Sequence, residues 1–318
     1  MSSSIYIIHE NKEWIPPFDR AFKKAGITYK EMYLDAGFIG LDSLPPDGVF
    51  WSRLSASSHT RNHAFSKEFG RAVLAWLETN NRIVVNGSNV LELEVSKVLQ
   101  NLALKKTGIK TPKTIACFGK DSLKANAKNM NLPFITKHNQ GGKGLGVRKF
   151  ESIAEFNAYV DSARFEESAD SITLLQEFIE TKAPFITRAE FIGGEFFYAV
   201  RVDTSDESFE LCPAEACKID SKAKQNLAAA TCDISASHKF SLCLDITKDT
   251  PIIKILMRFL KENNIKIAGV EFFVTKSDEV VVYDINTNTN YNPTIESSLN
   301  SNAADAVVAY LNNLKKVK

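Results

Sequence analysis

The sequence feature that most restricts the fold of this chain is a glycine-rich segment between two β-type runs. Residues 133–147 place Lys137 at the end of a predicted strand, then glycines at 141, 142, 144 and 146, and then a second predicted strand. Glycines let backbone N–H groups approach an anion closely, and the lysine adds a positive charge. The segment is not a Walker loop or a Rossmann fingerprint, because a strand rather than a helix follows it. The pattern predicts an anion-binding loop or, taken alone, a flexible hairpin turn.

Acidic and amide side chains form a second pattern near the end of the chain. Glu271 lies in one β-type run, and Asp284 and Asn286 lie two residues apart in the next. If the two strands pair, Glu271 and Asp284 project from neighbouring strands, and Asp284 and Asn286 share a face. Carboxylate and amide oxygens suit magnesium that is bound mainly through nucleotide phosphates. The alternative is an edge strand facing solvent, followed by an Asn-rich turn.

The order of β-type runs and amphipathic stretches predicts three domains in the 318 residues. Residues 1–90 alternate the two patterns, as in an open α/β layer. A helix predicted over residues 91–106 opens a smaller α+β unit, which extends to residue 178 and contains the glycine-rich segment. Residues 179–318 contain a predicted hairpin around Gly193 and Gly194, a helix over 251–262, the two acidic strands, and a closing helix over 297–313.

Charge and composition exclude several classes of protein. The 39 basic and 38 acidic side chains give a net charge of +1, so no global field attracts nucleic acid or anionic lipid. No apolar run approaches the roughly 18 residues of a membrane span, and the apolar run at the N-terminus is too short for a signal peptide. The five cysteines are odd in number and form no Cys-x-x-Cys pair, which argues against a disulfide framework. We therefore expect a cytoplasmic protein.

Together, these motifs resemble the ATP-grasp superfamily. A strand-end lysine with a glycine-rich hairpin is followed in order by Gln176-Glu177-Phe178-Ile179, two arginines, a strand with Glu271 and an Asp-x-Asn strand. The pattern is most similar to the branch that contains bacterial glutathione synthetase and the RimK-like ribosomal-protein glutamate ligase, and it covers roughly residues 90–295. The resemblance implies an ATP-grasp fold, with two α+β subdomains that hold ATP, preceded by an open α/β domain.

The resemblance also assigns roles to individual residues. Lys97 and Lys137 match lysines that contact the α- and β-phosphates, and Gly141, Gly142 and Gly144 belong to the loop over them. Glu177, Phe178 and Ile179 match the hinge at the adenine ring, and Glu271, Asp284 and Asn286 match the magnesium ligands. Arg188 and Arg201 match arginines that hold the transferred phosphoryl group, with surface ion pairs as the alternative. Relatives often carry an acidic residue where this chain has Ile186, so Glu180 or Glu190 is a candidate ribose ligand.

Two further segments are candidates for substrate binding. Arg53, Ser55 and Ser57 follow a short apolar strand, and ligands bind at the carboxyl ends of strands in open α/β sheets. In relatives this loop faces the carboxylate substrate; the alternative is a serine helix cap beside solvated arginines. Asn288 and Asn290 follow the predicted magnesium ligand Asn286, in a loop that touches substrate in relatives.

The activity that the resemblance implies is an ATP-dependent carboxylate–amine ligase. ATP and two Mg²⁺ ions would convert a carboxylate to an acyl phosphate, and an amine would displace phosphate to form an amide. The expected partners are a small carboxylate, such as an amino acid or small peptide, and an amine, with a protein acceptor left open and with no nucleic acid or membrane. Relatives are often homodimers or homotetramers. The rival hypotheses are an ATP-grasp kinase and a nucleotide-binding regulatory protein without catalysis.

Overall fold

The first ninety residues form a parallel α/β layer. The computed structural model of the chain describes residues 4–142, 144–205, 239–299 and 302–317. In chain order, the layer contains β1 (Ser4–His9), α1 (Pro16–Lys24), β2 (Tyr29–Tyr33), β3 (Gly48–Arg53), α2 (Ser66–Thr79) and β4 (Ile83–Val85). The strands are ordered β2-β1-β3-β4 and all pair in parallel. The predicted open α/β layer is confirmed.

Both faces of this sheet are covered, which explains why its central strands read as continuous apolar runs. Every residue of β3 is buried. One face, with Ile7 and Trp51, packs on Phe18 and Phe22 of α1, and the other face packs on the apolar side of α2. Because successive strand residues point to opposite faces, both alternating sets must be apolar.

Two helices connect this layer to the rest of the chain, α3 (Ser88–Val95) and α4 (Lys97–Lys106). The prediction of one continuous helix over residues 91–106 is wrong at Ser96, where the backbone is extended with φ −140° and ψ 107°. The Ser96 hydroxyl accepts a hydrogen bond from the N–H of Leu99 and caps α4. A serine side chain that satisfies one of the free N–H groups of a helix start favours this break. As a result, Lys97 is the first residue of α4.

The central unit is a four-stranded antiparallel sheet with two helices. It contains β5 (Thr114–Phe118), α5 (Lys120–Ala127), β6 (Phe134–His138), β7 (Arg148–Phe150), α6 (Ile153–Asp161) and β8 (Ile172–Glu177), with strand order β5-β8-β6-β7. Phe134, Phe150 and Phe156 form the centre of its core. β6 and β7 pair as a hairpin, and the glycine-rich segment connects them, as predicted.

The third unit is a five-stranded antiparallel sheet ordered β11-β10-β9-β12-β13. Its elements are β9 (Phe185–Ile192), β10 (Glu195–Asp203), β11 (Phe240–Leu242), α7 (Pro251–Glu262), β12 (Ile267–Val274), β13 (Val280–Asn286), α8 (Pro293–Glu296) and α9 (Ala303–Leu314). Gly193 and Gly194 join β9 to β10 with φ of 68° and 84°, a conformation that favours glycine. One face of the sheet packs on the N-terminal layer and α9, and the other packs on α7.

The predicted closing helix is shorter than expected, because α9 starts at Ala303. Asn302 caps it by accepting a hydrogen bond from the N–H of Asp305, and the residues before it include the separate short helix α8. Within the described residues, no helix is both long and apolar enough to cross a membrane. The three sheets lie within residues 4–85, 114–177 and 185–286. The domain boundaries at residues 90 and 178 stay predictions.

Candidate active site

A cleft of about 460 Å³ lies between the central sheet and the third sheet, with the N-terminal layer at one end. Most of the side chains that the sequence singled out line it, although they are separated by up to 235 positions along the chain. The predicted residues in its lining are Ser55, Ser57, Lys97, Lys137, Gly141, Gly142, Gly144, Glu177, Phe178, Ile179, Arg188, Glu271, Asp284, Asn286, Asn288 and Asn290.

Two lysines from different elements converge on Asp284 inside the cleft. Lys97 at the start of α4 forms an ion pair with the Asp284 carboxylate, and Nζ of Lys137 on β6 lies 3.8 Å from Oδ1 of Asp284. Burial lowers the pKa of Lys137 to about 8, although the charge of Asp284 opposes the shift. Burial alone would raise the pKa of Asp284, but the charges of Lys137 and Lys97 outweigh it and lower that pKa to about 2. Asp284 is therefore an anion at neutral pH.

A buried network of charges surrounds Arg188, which lines the cleft together with Glu271. The guanidinium donates through Nε to Glu190 at 2.6 Å, through Nη1 to Glu271 at 2.9 Å and through Nη2 to the Thr289 hydroxyl at 2.6 Å. Burial would lower the pKa of Arg188, but the carboxylates of Glu190 and Glu271 outweigh burial and raise it. The arginine is therefore fixed, charged and aimed by three acceptors.

Gly269 is required by this network for steric reasons. A Cβ atom at that position would lie 2.7 Å from both Nε and Nη2 of Arg188, closer than real Cβ contacts occur. Gly269 pairs with Asn286 across β12 and β13, and Glu271 pairs with Asp284. The hairpin thus places Glu271, Asp284 and Asn286 on one face, as the strand alternation predicted, and Arg188 on the neighbouring strand shares that face.

The donor set on this face fits a hard cation. Two carboxylates and one amide supply oxygen ligands, and Asp284 is ionised. Tyr283 donates to Oε2 of Glu271 at 2.8 Å, and Arg188 donates to Oε1, so the Glu271 carboxylate is held in one orientation. In the described parts of the chain, no group of three or more His, Cys, Asp or Glu side chains could hold a metal by itself. A metal held by this set would take its remaining ligands from a phosphate-bearing substrate.

The described glycines of the glycine-rich segment lie against His138 and against the N-terminal layer. Gly144 and Gly146 have φ of 73° and 69°, and a Cβ on Gly146 would lie 2.0 Å from the His138 ring. A Cβ on Gly142 would lie 3.6 Å from Cβ of Ser57, so the loop and the Ser55–Ser57 turn face each other. At the opposite end of the cleft, Lys149 lies over the Phe178 ring at 4.4 Å from its centroid.

Comparison with known proteins identifies the fold. No protein-family model and no curated protein matches the chain in sequence. A RimK domain ATP-grasp protein from Sphaerobacter thermophilus has a similar structure, with TM-score 0.64 and 14% identity over 97% of this chain and 99% of that chain. The ATP-grasp ligase PsnB, complexed with a phosphomimetic variant of a minimal precursor, Mg and ADP, gives TM-score 0.62 and 14% identity over 99% of each chain. D-cycloserine synthetase DcsG gives TM-score 0.61 and 11% identity over 98% of this chain and 100% of that chain.

The chain has the ATP-grasp fold. The resemblance inferred from its motifs is confirmed at the level of the fold, across nearly the whole chain. Within the ATP-grasp fold, however, two of the predicted site residues do not line the cleft. These are Arg201 and Arg53.

Arg201 lies on the face of the sheet opposite Arg188 because of a β-bulge. The hairpin of β9 and β10 begins in regular register, with Glu195 opposite Ile192, and that register would place Arg188 and Arg201 on one face. The pairing shifts by one residue between Phe196 and Tyr198, so Val200 rather than Ala199 lies opposite Arg188. A one-residue shift moves a side chain to the other face. Arg201 instead pairs with Asp245 at 2.7 Å, the surface ion pair that was its alternative interpretation.

Arg53 is buried beneath the cleft rather than exposed in it. Its side chain is 1% exposed and lies against the rings of Phe18 and Trp51. It donates through Nη1 to the carbonyl of Trp14, and through Nη2 to the carbonyl of Thr289 and the side chain of Asn290. The prediction that Arg53 contacts substrate is therefore replaced by a role in holding the loop of residues 287–290.

Two residues that the sequence did not single out hold the same loop. Asn86 donates to the carbonyls of Ile267 and Thr287, and Glu94 accepts from both the N–H and the hydroxyl of Thr287. The only sequence signals were an Asn-Gly pair after β4 and an acidic residue three positions before Lys97. Both are common surface features, so neither indicated a contact across some 200 residues.

The two acidic candidates for the ribose ligand are both engaged in other contacts. Glu180 is exposed and forms an ion pair with Lys276, and Glu190 is engaged by Arg188 and Thr289. Neither lines the cleft, whereas Ile186 does.

Proposed function

We propose that this protein is an ATP-dependent carboxylate–amine ligase that forms an amide bond through an acyl phosphate. The observation that carries the proposal is the convergence of Lys97, Lys137 and Arg188 with Glu271 and Asp284 in one cleft of an ATP-grasp fold. Fixed cations beside oxygen ligands for a metal are the arrangement that stabilises a phosphoryl group in transfer.

Different cleft residues bind different parts of ATP. Glu177, Phe178 and Ile179 hold the adenine end, where backbone groups and apolar side chains suit a flat heterocycle. Lys97, Lys137 and the backbone of the glycine-rich loop hold the phosphates. Glu271, Asp284 and Asn286 would hold Mg²⁺, which when bound neutralises charge on the phosphate oxygens. Whether one ion or two bind there stays a prediction.

The reaction needs positioning more than a nucleophilic side chain. A substrate carboxylate oxygen attacks the γ-phosphorus of ATP, and ADP leaves with the electron pair of the broken P–O bond. The amine then attacks the carbonyl carbon of the acyl phosphate, and phosphate leaves as the amide forms and the amine releases a proton. Arg188 holds the transferring group by charge, and Gly141, Gly142 and Gly144 of the cleft lining help to exclude water that would hydrolyse the acyl phosphate.

The substrate end of the cleft lies between the N-terminal layer and residues 287–290. Ser55, Ser57, Asn288 and Asn290 present hydroxyl and amide groups there, which suits an amino acid or peptide with its own hydrogen-bonding groups. D-cycloserine synthetase and PsnB complexed with its precursor peptide have the same fold, which supports testing both small molecules and peptides. We propose a free amino acid or a small peptide as the carboxylate, with a protein acceptor as the variant to test.

Hydroxylamine trapping tests the proposal directly. Wild type and Asp284→Asn are incubated with Mg-ATP, metabolite or peptide extract and hydroxylamine, and hydroxamates are identified by mass spectrometry. We expect hydroxamates with the wild type and none with Asp284→Asn. The matched control is Asp278→Asn, which alters an exposed carboxylate on the turn between β12 and β13 and should leave the yield unchanged.

Each other outcome favours a rival. ADP formation without any hydroxamate, unchanged when amines are omitted, would favour a kinase. Mg-ATP binding without ADP formation across all substrate pools would favour a regulatory nucleotide-binding protein. Full activity of Asp284→Asn would refute the metal assignment.

A further inference from the structure

Asn139 lies directly after β6, two residues beyond Lys137, and it is 3% exposed. Its backbone joins two separate elements. Its N–H donates to the carbonyl of Ile172 at the start of β8 at 3.0 Å, and its carbonyl accepts from the N–H of Lys97 at 3.2 Å. The residue therefore sits where the central sheet meets the start of α4.

The side chain of Asn139 makes the same connection a second time. Its Oδ1 accepts from the N–H of Val98 at 2.8 Å and from the Ser96 hydroxyl at 3.3 Å, and its Nδ2 donates to Oδ2 of Asp170 at 2.6 Å. A backbone N–H can only donate and a carboxylate can only accept, so these partners fix the orientation of the amide. The other Asp170 oxygen accepts from the Ser168 hydroxyl and the N–H of Ile172, which holds the carboxylate in place.

The first turn of α4 is capped in part by a residue from the central sheet. N–H groups in the first turn of a helix have no partner within the helix, and a side chain usually caps them from just before the helix. Here Ser96 caps Leu99, while Asn139 from the central sheet takes the N–H groups of Lys97 and Val98. The position of Lys97 is thereby coupled to that of β6, which carries Lys137.

The opposite side of α4 is bound to the third sheet. Gln100 donates to the carbonyl of Ile285 at 2.8 Å and accepts from its N–H at 3.1 Å. Asn139 therefore connects the central sheet to a helix that is otherwise bonded to the strand carrying Asp284. Its side-chain amide and its backbone carbonyl are thus contacts that link the element carrying Lys137 to the helix carrying Lys97.

We propose that Asn139 is a positioning residue that fixes Lys97 and Lys137 relative to each other by bonding the start of α4 to the end of β6, and that Asp170 holds its amide in that orientation. The inference rests on the proposed ATP site. It goes beyond that site because neither residue lines the cleft and neither was predicted to bind ATP, metal or substrate.

A reciprocal exchange tests the inference with Mg-ADP as the probe, measured by isothermal titration calorimetry. Asn139→Asp removes the donor and sets two carboxylates against each other, so we expect the affinity for Mg-ADP to fall tenfold or more. Asp170→Asn leaves only one acceptor oxygen for the two donors, Asn139 Nδ2 and the Ile172 N–H. We therefore expect a smaller loss of Mg-ADP affinity, three- to tenfold. The double variant Asn139→Asp/Asp170→Asn reverses donor and acceptor, and we expect its affinity to return to within threefold of wild type.

The matched control is Asn302→Asp at the start of α9, remote from the cleft. Asn302 also caps a helix and donates to a neighbouring carboxylate, Asp305, at 3.2 Å. We expect it to lose thermal stability as Asn139→Asp does, yet to bind Mg-ADP within twofold of wild type. This comparison separates a general loss of stability from a loss of lysine positioning.

The outcomes distinguish this inference from the proposed function. If the wild type does not bind Mg-ADP, the proposed function fails and the inference fails with it. If the wild type binds and both single variants bind within twofold of it, or if the double variant binds no better than Asn139→Asp, only the inference is overturned. Should Asn139→Asp not fold, Asp170→Asn and the double variant decide by the same criteria.

Discussion

The lowered pKa of Lys137 predicts that nucleotide binding weakens sharply above pH 8. Burial brings that pKa from 10.5 to about 8, so the ammonium loses its proton as the pH rises through 8. At pH 9 a group with a pKa of 8 is about one-tenth protonated, so we expect the dissociation constant for Mg-ADP to rise about tenfold between pH 7 and pH 9. Asp284, with a pKa of about 2, stays ionised over this range.

Proton uptake provides a second measurement of the same effect. Bound phosphate favours the charged lysine, so nucleotide binding should restore the proton that Lys137 has lost. Titration calorimetry in two buffers with different ionisation enthalpies should then show an uptake of about 0.9 proton at pH 9 and about 0.1 at pH 7.

The variant that isolates this lysine is Lys137→Arg. A guanidinium stays protonated at every pH in the experiment, so the variant should bind Mg-ADP with little change between pH 7 and pH 9. A flat pH dependence in the wild type, or the same decline in Lys137→Arg, would refute the reasoning.

Three further predictions concern Arg188, Gly269 beside it, and Arg53. Arg188→Lys should lower kcat for ADP formation on the order of 100-fold. Arg201→Lys changes a side chain on the opposite face of the sheet, so its kcat should stay within twofold of wild type. Equal losses of kcat in the two variants would contradict the assignment of faces. The methyl group of Gly269→Ala would push the Arg188 guanidinium away from its acceptors. We expect the free energy of unfolding, measured by denaturant melts, to fall by about 1–3 kcal/mol. We expect turnover, measured by ADP release, to fall at least tenfold. Arg53→Met should lower the free energy of unfolding by about 2–4 kcal/mol, because it leaves buried acceptors unpaired. It should also raise the KM for the trapped carboxylate more than the KM for ATP. An unchanged carboxylate KM would contradict the role of Arg53 in holding the loop of residues 287–290.

Local patterns in the sequence predicted most of the elements and part of the site. The glycine-rich hairpin and the run containing Glu271, Asp284 and Asn286 are hairpins in which neighbours along the chain pair with each other. Strand alternation then decides which side chains share a face. The break at Ser96 was missed because a serine inside an apolar helical pattern is compatible with both a continuous helix and a cap.

The two arginines show the limit of that reasoning. Arg188 and Arg201 are equally good oxyanion ligands by residue type and order along the chain. One extra residue in β10 reverses the face of every side chain beyond the bulge, and it places Arg201 beside Asp245. No residue type in β10 predicts the bulge, since the strand contains neither glycine nor proline.

By itself, the sequence predicted most of the strands and helices, the glycine-rich hairpin and the acidic hairpin, because each depends on residues close together in the chain. Only the tertiary structure decided that Arg53 is buried beneath the cleft, and that Asn86, Glu94 and Asn139 hold loops and helices of other units. Asn86 and Thr287 are 201 positions apart, and such contacts depend on how separate sheets pack. A polar residue that bonds across a sheet interface has the same local pattern as one on the surface, because its partner is supplied by the fold.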